Sequence, residues 1–409
     1  MLLSFIKITP RKKWKLRRKM LKPAFYLDIL PHYFTNIIEV SQNMVECLKK
    51  EADGNPIVKD LKSFIGQHTL NIICKSAFGV ELTGKNELEI KYPHAIHEFV
   101  RISSIRLSRP WYYFDSIFAF SPLSRVQKEN LKTLHSFSRN IIAERKRFHK
   151  QTNGKYLQIN KNNEEDNNLY SKKRLSLLDL LIAASWEDNQ IDEEGIREEV
   201  DTFMFGGFDT TASALTFALS LFAKHKSVQV MFPNETITLH DYKNIRDEVR
   251  SIMQDDNFTM SSLSNLSYLN RCLKESMRLY PSVHVIFRKI FRDLQLKHYL
   301  IPSGTIVGVN IYSVHRNPKY WPNPNVFDPD RFLPENSTGR HPYSFIPFSA
   351  GRRICIGQNF AMHELRLIVA FILYHFELEP VDELDDVTFA ADITLTPIKP
   401  LRIKFIPIS

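Results

Sequence analysis

The chain of 409 residues has no run of the about eighteen apolar residues that a bilayer-crossing helix needs. The best stretch, residues 212–223, is too short and carries Ser213, Thr216 and Ser220, so it reads as a buried helix. No signal peptide is expected either, because residues 1–8 run straight into a basic cluster. Cysteine is scarce. The four present, Cys47, Cys74, Cys272 and Cys355, show no repeated spacing, which argues against a disulfide framework and for a reducing compartment. Cys47, Cys74 and Cys272 lie in unrelated apolar segments, so a closed zinc site lacks its ligand set. A strand-linked Gly-x-Gly-x-x-Gly is also missing, and with it any flavin or nicotinamide fingerprint.

Positive charge is in excess, with a net charge of +10. Much of it lies in Arg11-Lys-Lys-Trp14-Lys-Leu-Arg-Arg18-Lys-Met-Leu-Lys22. Such a run reads as a nucleic-acid or nuclear-localisation patch, as a membrane-surface segment, or as a helix with a solvated lysine face. Helical geometry favours the last. At about 100° per residue, Trp14, Arg18 and Leu21 share one face and Lys12, Lys15, Lys19 and Lys22 another.

Apolar spacing predicts helices over residues 37–49, 57–78, 92–105, 124–147 and 175–185, and a long one from Glu193 to about Lys224. Residues 296–314 alternate like strands around Pro302-Ser-Gly304, and 389–405 read as a closing β-hairpin. Residues 150–173, rich in Asn, Lys and Glu, read as a surface loop within one domain spanning 1–409. The aromatic stretch from Arg109 to Pro122 is a packed loop or one facing substrate or membrane.

Three motifs carry chemistry. In Phe348-Ser-Ala-Gly351-Arg-Arg353-Ile-Cys355-Ile-Gly357, the glycines let the backbone turn tightly and approach a flat group closely. Residues 358–376 have helical spacing, so Cys355 stands just before a helix N-terminus that favours a thiolate, and Arg353 adds a fixed cation. A lone cysteine otherwise reads as a small buried hydrophobe. The second motif, Gly206-Gly207-Phe208-Asp209-Thr210-Thr211, lies in the middle of the long helix. Two interior glycines cost about 1 kcal/mol each against alanine, which close helix packing or a groove beside a ligand would explain. Asp209 and Thr210 form an acid–alcohol pair. Third, Glu275 and Arg278 share a helix face, and Phe327-Asp-Pro329-Asp-Arg331-Phe332 offers a second arginine.

The cysteine segment matches Phe-x-x-Gly-x-Arg-x-Cys-x-Gly, and from about Trp14 onward the chain resembles the haem-thiolate monooxygenases, the cytochrome P450 family. Val200-Asp-Thr-Phe-Met-Phe and Ser108-Arg-Pro-Trp resemble its family 4. The resemblance implies a mainly α fold with small β-sheets, here without the usual N-terminal anchor and first helical and sheet region. It implies a haem with Cys355 as axial thiolate. Trp14, Arg18, Arg288 and Arg353 would meet its acidic edges, Gly206 and Gly207 would flank it, and Phe348 and Gly357 would frame the loop. Asp209 and Thr210 would deliver protons to dioxygen, while Glu275, Arg278 and Arg331 would lock the cofactor loop. One oxygen atom would enter a lipophilic substrate such as a fatty acid, hydrocarbon or xenobiotic. Electrons would come from a separate NADPH-dependent flavin reductase, for which the lysine row is a docking candidate. The implied location is the cytoplasmic face of the endoplasmic reticulum membrane, with no nucleic-acid partner.

The chain departs from the pattern at four places. Gly206 stands where many family 4 members carry a Glu that esterifies the haem, and Phe208 replaces a common His. His284 stands where proline is usual, and residues 230–242 interrupt a helix and read as a loop insertion or as an artefact of the coding sequence. The alternatives are a truncated, non-catalytic haem-binding remnant and a haem-thiolate isomerase or lyase. Thr210 argues against the latter.

Overall fold

The computed structural model describes residues 11–26, 29–157, 175–186, 190–229, 244–253 and 259–408. The insertion at 230–242 lies outside them, as does most of the expected 150–173 loop. That loop starts later than expected, because Lys150 and Gln151 still belong to the preceding helix.

The described residues form two compact units, one from Thr9–Val40 and Gln67–Phe208, the other from Ser41–Gly66 and Asp209–Ser409. The ten longer helices are α1 (Arg11–Leu21), α2 (Leu30–Ala52), α3 (Leu61–Ile73), α4 (Glu87–Ser108), α5 (Pro122–Gln151), α6 (Leu177–Trp186), α7 (Glu193–Lys224), α8 (Ile245–Met253), α9 (Ser267–Leu279) and α10 (Gln358–His375). The division falls inside α2, α3 and α7.

In the first unit α4 packs along α5. Leu134, Phe137, Ile141 and Ile142 recur at spacings of one helical turn on α5 and are buried, with the Phe137 ring 4.5 Å from that of Tyr92. Two buried carboxylates inside this unit are matched to cations and hydroxyls. Asp179 of α6 takes both guanidinium nitrogens of Arg145 at 2.7 and 2.8 Å and the Nε2–H of His149 at 2.6 Å. Asp201 of α7 takes the Ser138 hydroxyl and Arg197. Such matching is what makes buried charge tolerable.

Among the described residues every strand lies in the second unit: β1 (Ile57–Asp60), β2 (Val285–Lys289), β3 (Leu294–Gln295), β4 (Leu300–Ile301), β5 (Ile306–Asn310), β6 (Phe376–Pro380), β7 (Phe389–Ala391), β8 (Leu395–Pro397) and β9 (Arg402–Pro407). All pairings are antiparallel. β9 lies between β1 and β6, and the other sheets are the pairs β2–β5, β3–β4 and β7–β8. From Leu365 to Leu373, α10 is apolar and buried on nearly every side, as befits a core helix. It packs against α8 and α9, and Glu248 of α8 caps α9 by accepting the N–H groups of Tyr268 and Leu269, each at 2.8 Å.

Three sequence expectations are corrected. Residues 57–60 are a strand rather than the start of a helix, because Ile57 and Val58 pair with Phe405 and Lys404. The 389–405 hairpin is only β7–β8, since β9 pairs with β1 and β6. The strand reading of 296–314 ends at Asn310, whose side chain accepts the Ser313 N–H at 3.0 Å and starts a helical turn over Ile311–Val314.

Candidate active site

The cysteine loop sits in the second unit. Ser349 and Gly351 adopt φ of +65° and +75°, the left-handed region where glycine is favoured and serine is strained. These bends bring the Cys355 N–H to the Phe348 carbonyl at 3.0 Å and the Ile354 N–H to the Gly351 carbonyl at 3.1 Å. α10 starts at Gln358, with the Gly357 carbonyl accepting from Ala361 at 2.9 Å. Cys355 is in no disulfide and is exposed, as is its neighbour Ile354, whereas Cys74 and Cys272 are buried and burial raises their thiol pKa.

Buried groups fix the chain leading into this loop. The Ile346 N–H donates to His315 Nε2 at 2.8 Å, and Trp321 Nε1–H donates to the Ser344 carbonyl at 3.2 Å. His315 is fully buried, which lowers its pKa to about 3 and keeps Nε2 a neutral acceptor. Its carbonyl accepts from Arg278 at 3.0 Å. Arg278 and Glu275, both 0% exposed, form a bidentate pair at 2.7 Å for each contact, and Arg331 Nε stands 3.4 Å from Glu275 Oε1. The structure thus brings together the Glu275, Arg278 and Arg331 set read from sequence, and His315 links it to the loop. Arg288, on β2, reaches the same loop by donating to Ser349 Oγ at 3.1 Å.

The two glycines of α7 differ. A Cβ on Gly207, in the first unit, would stand 2.6 Å from the Ile73 side chain of α3, so close helix packing requires glycine there. Beside it, Thr69 donates to the Phe208 carbonyl at 3.2 Å. A Cβ on Gly206 would meet no atom within 4 Å apart from the helix's own backbone, and Gly206 is exposed on a helix otherwise largely buried.

In the second unit Asp209 is buried and accepts the Thr394 hydroxyl at 2.6 Å. Thr210 is half-buried, and its carbonyl accepts from Ser282 Oγ at 2.8 Å. Thr211 donates to Glu364 Oε1 at 3.2 Å. Glu364 is 0% exposed, its Oε2 has no hydrogen-bond partner among the described residues, and burial lifts its pKa well above the carboxylate range. Sequence reasoning missed Glu364, although a single carboxylate inside the apolar run 360–373 was a visible signal. It also missed Thr394, which lies 185 residues from its partner.

On α1, Trp14 and Arg18 are half-buried, with the guanidinium 5.8 Å from the indole centroid, while Lys12, Lys15, Lys19 and Lys22 are exposed. The neighbouring Arg17, absent from the sequence candidates, secures the helix. It donates to the Gly195 carbonyl at 2.9 Å and pairs with Glu199 at 3.3 Å, both on α7.

A mainly helical fold with small separate sheets, a thiol-bearing loop before a core helix and a buried Glu–Arg–Arg set define a haem-thiolate protein. The family model described as Cytochrome P450 matches residues 5–405, and the chain belongs to that family. It is 36% identical over 391 residues to Cytochrome P450 4c21 of Blattella germanica, covering 96% of this chain and 74% of that one. Cytochrome P450 4c3 of Drosophila melanogaster is 36% identical over 401 residues, 97% of this chain and 72% of the relative. Cytochrome P450 4V2 of Rattus norvegicus is 35% identical over 396 residues, 96% and 71%. The protein is therefore a haem-dependent monooxygenase that takes electrons from a redox partner and acts on a small molecule.

The residues fit a haem. The loop presents an exposed thiol, Cys355, for a metal. In the second unit Arg288 and Arg353 are partly buried cations suited to carboxylates. The open side of Gly206 leaves room that any side chain there would occupy.

Proposed function

We propose that this monooxygenase inserts oxygen into long-chain lipophilic substrates such as fatty acids, through the residues described above. Cys355 would ligate the iron, with Phe348, Gly351 and Gly357 shaping its loop. Trp14 and Arg18, with Arg288 and Arg353, would hold the two carboxylates. Bound haem supplies the redox-active iron at which dioxygen is activated, made electron-rich by the thiolate. Gly206 would leave space for the group, while Gly207 keeps α7 close to α3. Asp209 and Thr210 hold and move protons at their carboxylate and hydroxyl oxygens. The observation that carries the reading is the fixed, exposed Cys355 thiol, presented by a loop whose bends and anchors are all accounted for.

The electron donor is an NADPH-dependent flavin reductase that meets the exposed lysine row of α1 through opposite charge. The setting is the cytoplasmic face of the endoplasmic reticulum membrane, and the whole of 1–409 works as one catalytic domain. No helix among the described residues is long and apolar enough to cross a membrane. The segment between α4 and α5 supports surface contact instead, with Trp111, Tyr113, Phe114, Ile117 and Phe120 exposed, Phe120 to 92%. The test is reconstitution with such a reductase, NADPH and a fatty-acid series. Reductase-dependent hydroxylated product supports the reading. A chain that binds haem yet turns over no lipid under any donor is the non-catalytic remnant.

A further inference from the structure

We propose that Thr394 is a positioning residue for the proton delivery assigned to Asp209, its hydroxyl fixing the orientation of that carboxylate. The inference rests on the function proposed above and adds a residue to it. The Thr394 Oγ1–H donates to Asp209 Oδ2 at 2.6 Å, and both side chains are buried, at 1% and 2% exposure. A hydroxyl donating to a charged carboxylate in a poorly solvated place makes a stronger bond than a neutral pair.

The turn that carries Thr394, between β7 and β8, is pinned to α7 by a closed ring of hydrogen bonds. Ser213 Oγ donates to the Leu395 carbonyl at 3.0 Å, the Leu395 N–H to the Ser282 carbonyl at 2.8 Å, and Ser282 Oγ to the Thr210 carbonyl at 2.8 Å. Thr210 and Ser213 are one turn apart on α7, which closes the ring. The position of Thr394 over Asp209 is therefore set by three bonds that do not involve Asp209. A residue held so firmly can hold its partner.

Lys62 of α3 feels Asp209, Asp392 and Asp60 together and donates to Thr396 Oγ1 at 3.4 Å. Thr394 supplies what Lys62 cannot, a directional bond at a fixed oxygen.

The experiment uses the full chain reconstituted with haem and reductase, as wild type, Thr394→Val and Thr394→Ser. Thr394→Val is expected to keep the carbon-monoxide difference spectrum and the substrate-induced spin shift. It should lose about tenfold in product formed per NADPH consumed, with a larger solvent deuterium effect, and Thr394→Ser should restore coupling to within about twofold. A readout independent of turnover is the unfolding midpoint. Thr394→Val is expected to lower it by ~3 °C in the wild-type background and not in Asp209→Ala. Coupling unchanged in Thr394→Val, no rescue by serine, or the same midpoint shift in both backgrounds overturns the inference. If the wild-type chain itself shows no thiolate spectrum, the proposed function falls and this role falls with it. A wild type that turns over beside a Thr394→Val that couples equally well sinks the inference alone.

Discussion

Cys355 and Thr210 were both legible as letters, for different reasons. The thiol loop is local: two glycines, an arginine and a cysteine within ten residues imply their own geometry, and the structure gives Gly351 and Ser349 the left-handed bends the loop needs. The role of Thr210 is a proposal that its half-buried position supports. Thr210→Ala should retain haem and the substrate spin shift, yet divert reducing equivalents to peroxide. Parallel assays of product, peroxide and NADPH would show it, and unchanged coupling would remove Thr210 from proton delivery. Residues whose partners are distant stayed hidden. Thr394 and Glu364 meet α7 across 185 and 153 positions, and no spacing rule reaches that far. Arg17 stayed hidden among equivalent basic neighbours, because only the packed helix shows which guanidinium turns inward.

Among the elements, long helices were readable because burial repeats every turn along them. α7 was placed from Glu193 to about Lys224 and is found at Glu193–Lys224. Strands were harder. β1 is four residues long, and its identity is fixed by β9, more than 300 residues on. The double glycine of α7 gives a sharp test of packing against open space. Gly207→Ala should destabilise by about 1–3 kcal/mol, since its methyl meets Ile73. Gly206→Ala should stabilise by about 0.5–1 kcal/mol through helix propensity alone. Denaturant unfolding of the two variants checks both signs, and equal effects would refute the distinction. The Glu275 lock predicts a larger loss. Glu275→Ala leaves Arg278 buried without its carboxylate and should cost about 3–5 kcal/mol. Because Arg278 holds the His315 carbonyl, haem retention should fall along with stability.

Across the molecule, buried histidines make a prediction about acid. Burial lowers His315 to about 3 and His68, His135, His363 and His375 to about 4, from 6.5. Their folded pKa lies below the unfolded one, so below pH 6.5 the unfolded chain binds the extra protons. Their contribution is complete above that pH and is lost as pH falls toward 4. Asp201, raised by burial to about 6, acts in the opposite sense, as do Glu199, Glu248, Glu275 and Glu364, which burial also raises. Each ring should therefore contribute a fall in the unfolding midpoint between pH 6.5 and 4.5, set against the opposing carboxyl groups. His315→Gln, which keeps an acceptor for the Ile346 N–H, should lessen the slope. A His315→Gln midpoint that follows pH just as the wild type's does would contradict the burial assigned to that ring.

The whole account depends on one bond, from the Cys355 sulfur to iron, and the reduced carbon-monoxide difference spectrum of the haem-loaded chain reads it directly. The expected result is the strongly red-shifted Soret band of thiolate ligation in the wild type and its loss in Cys355→Ala. No such band in folded, haem-bearing protein, or a band that survives Cys355→Ala, would contradict it.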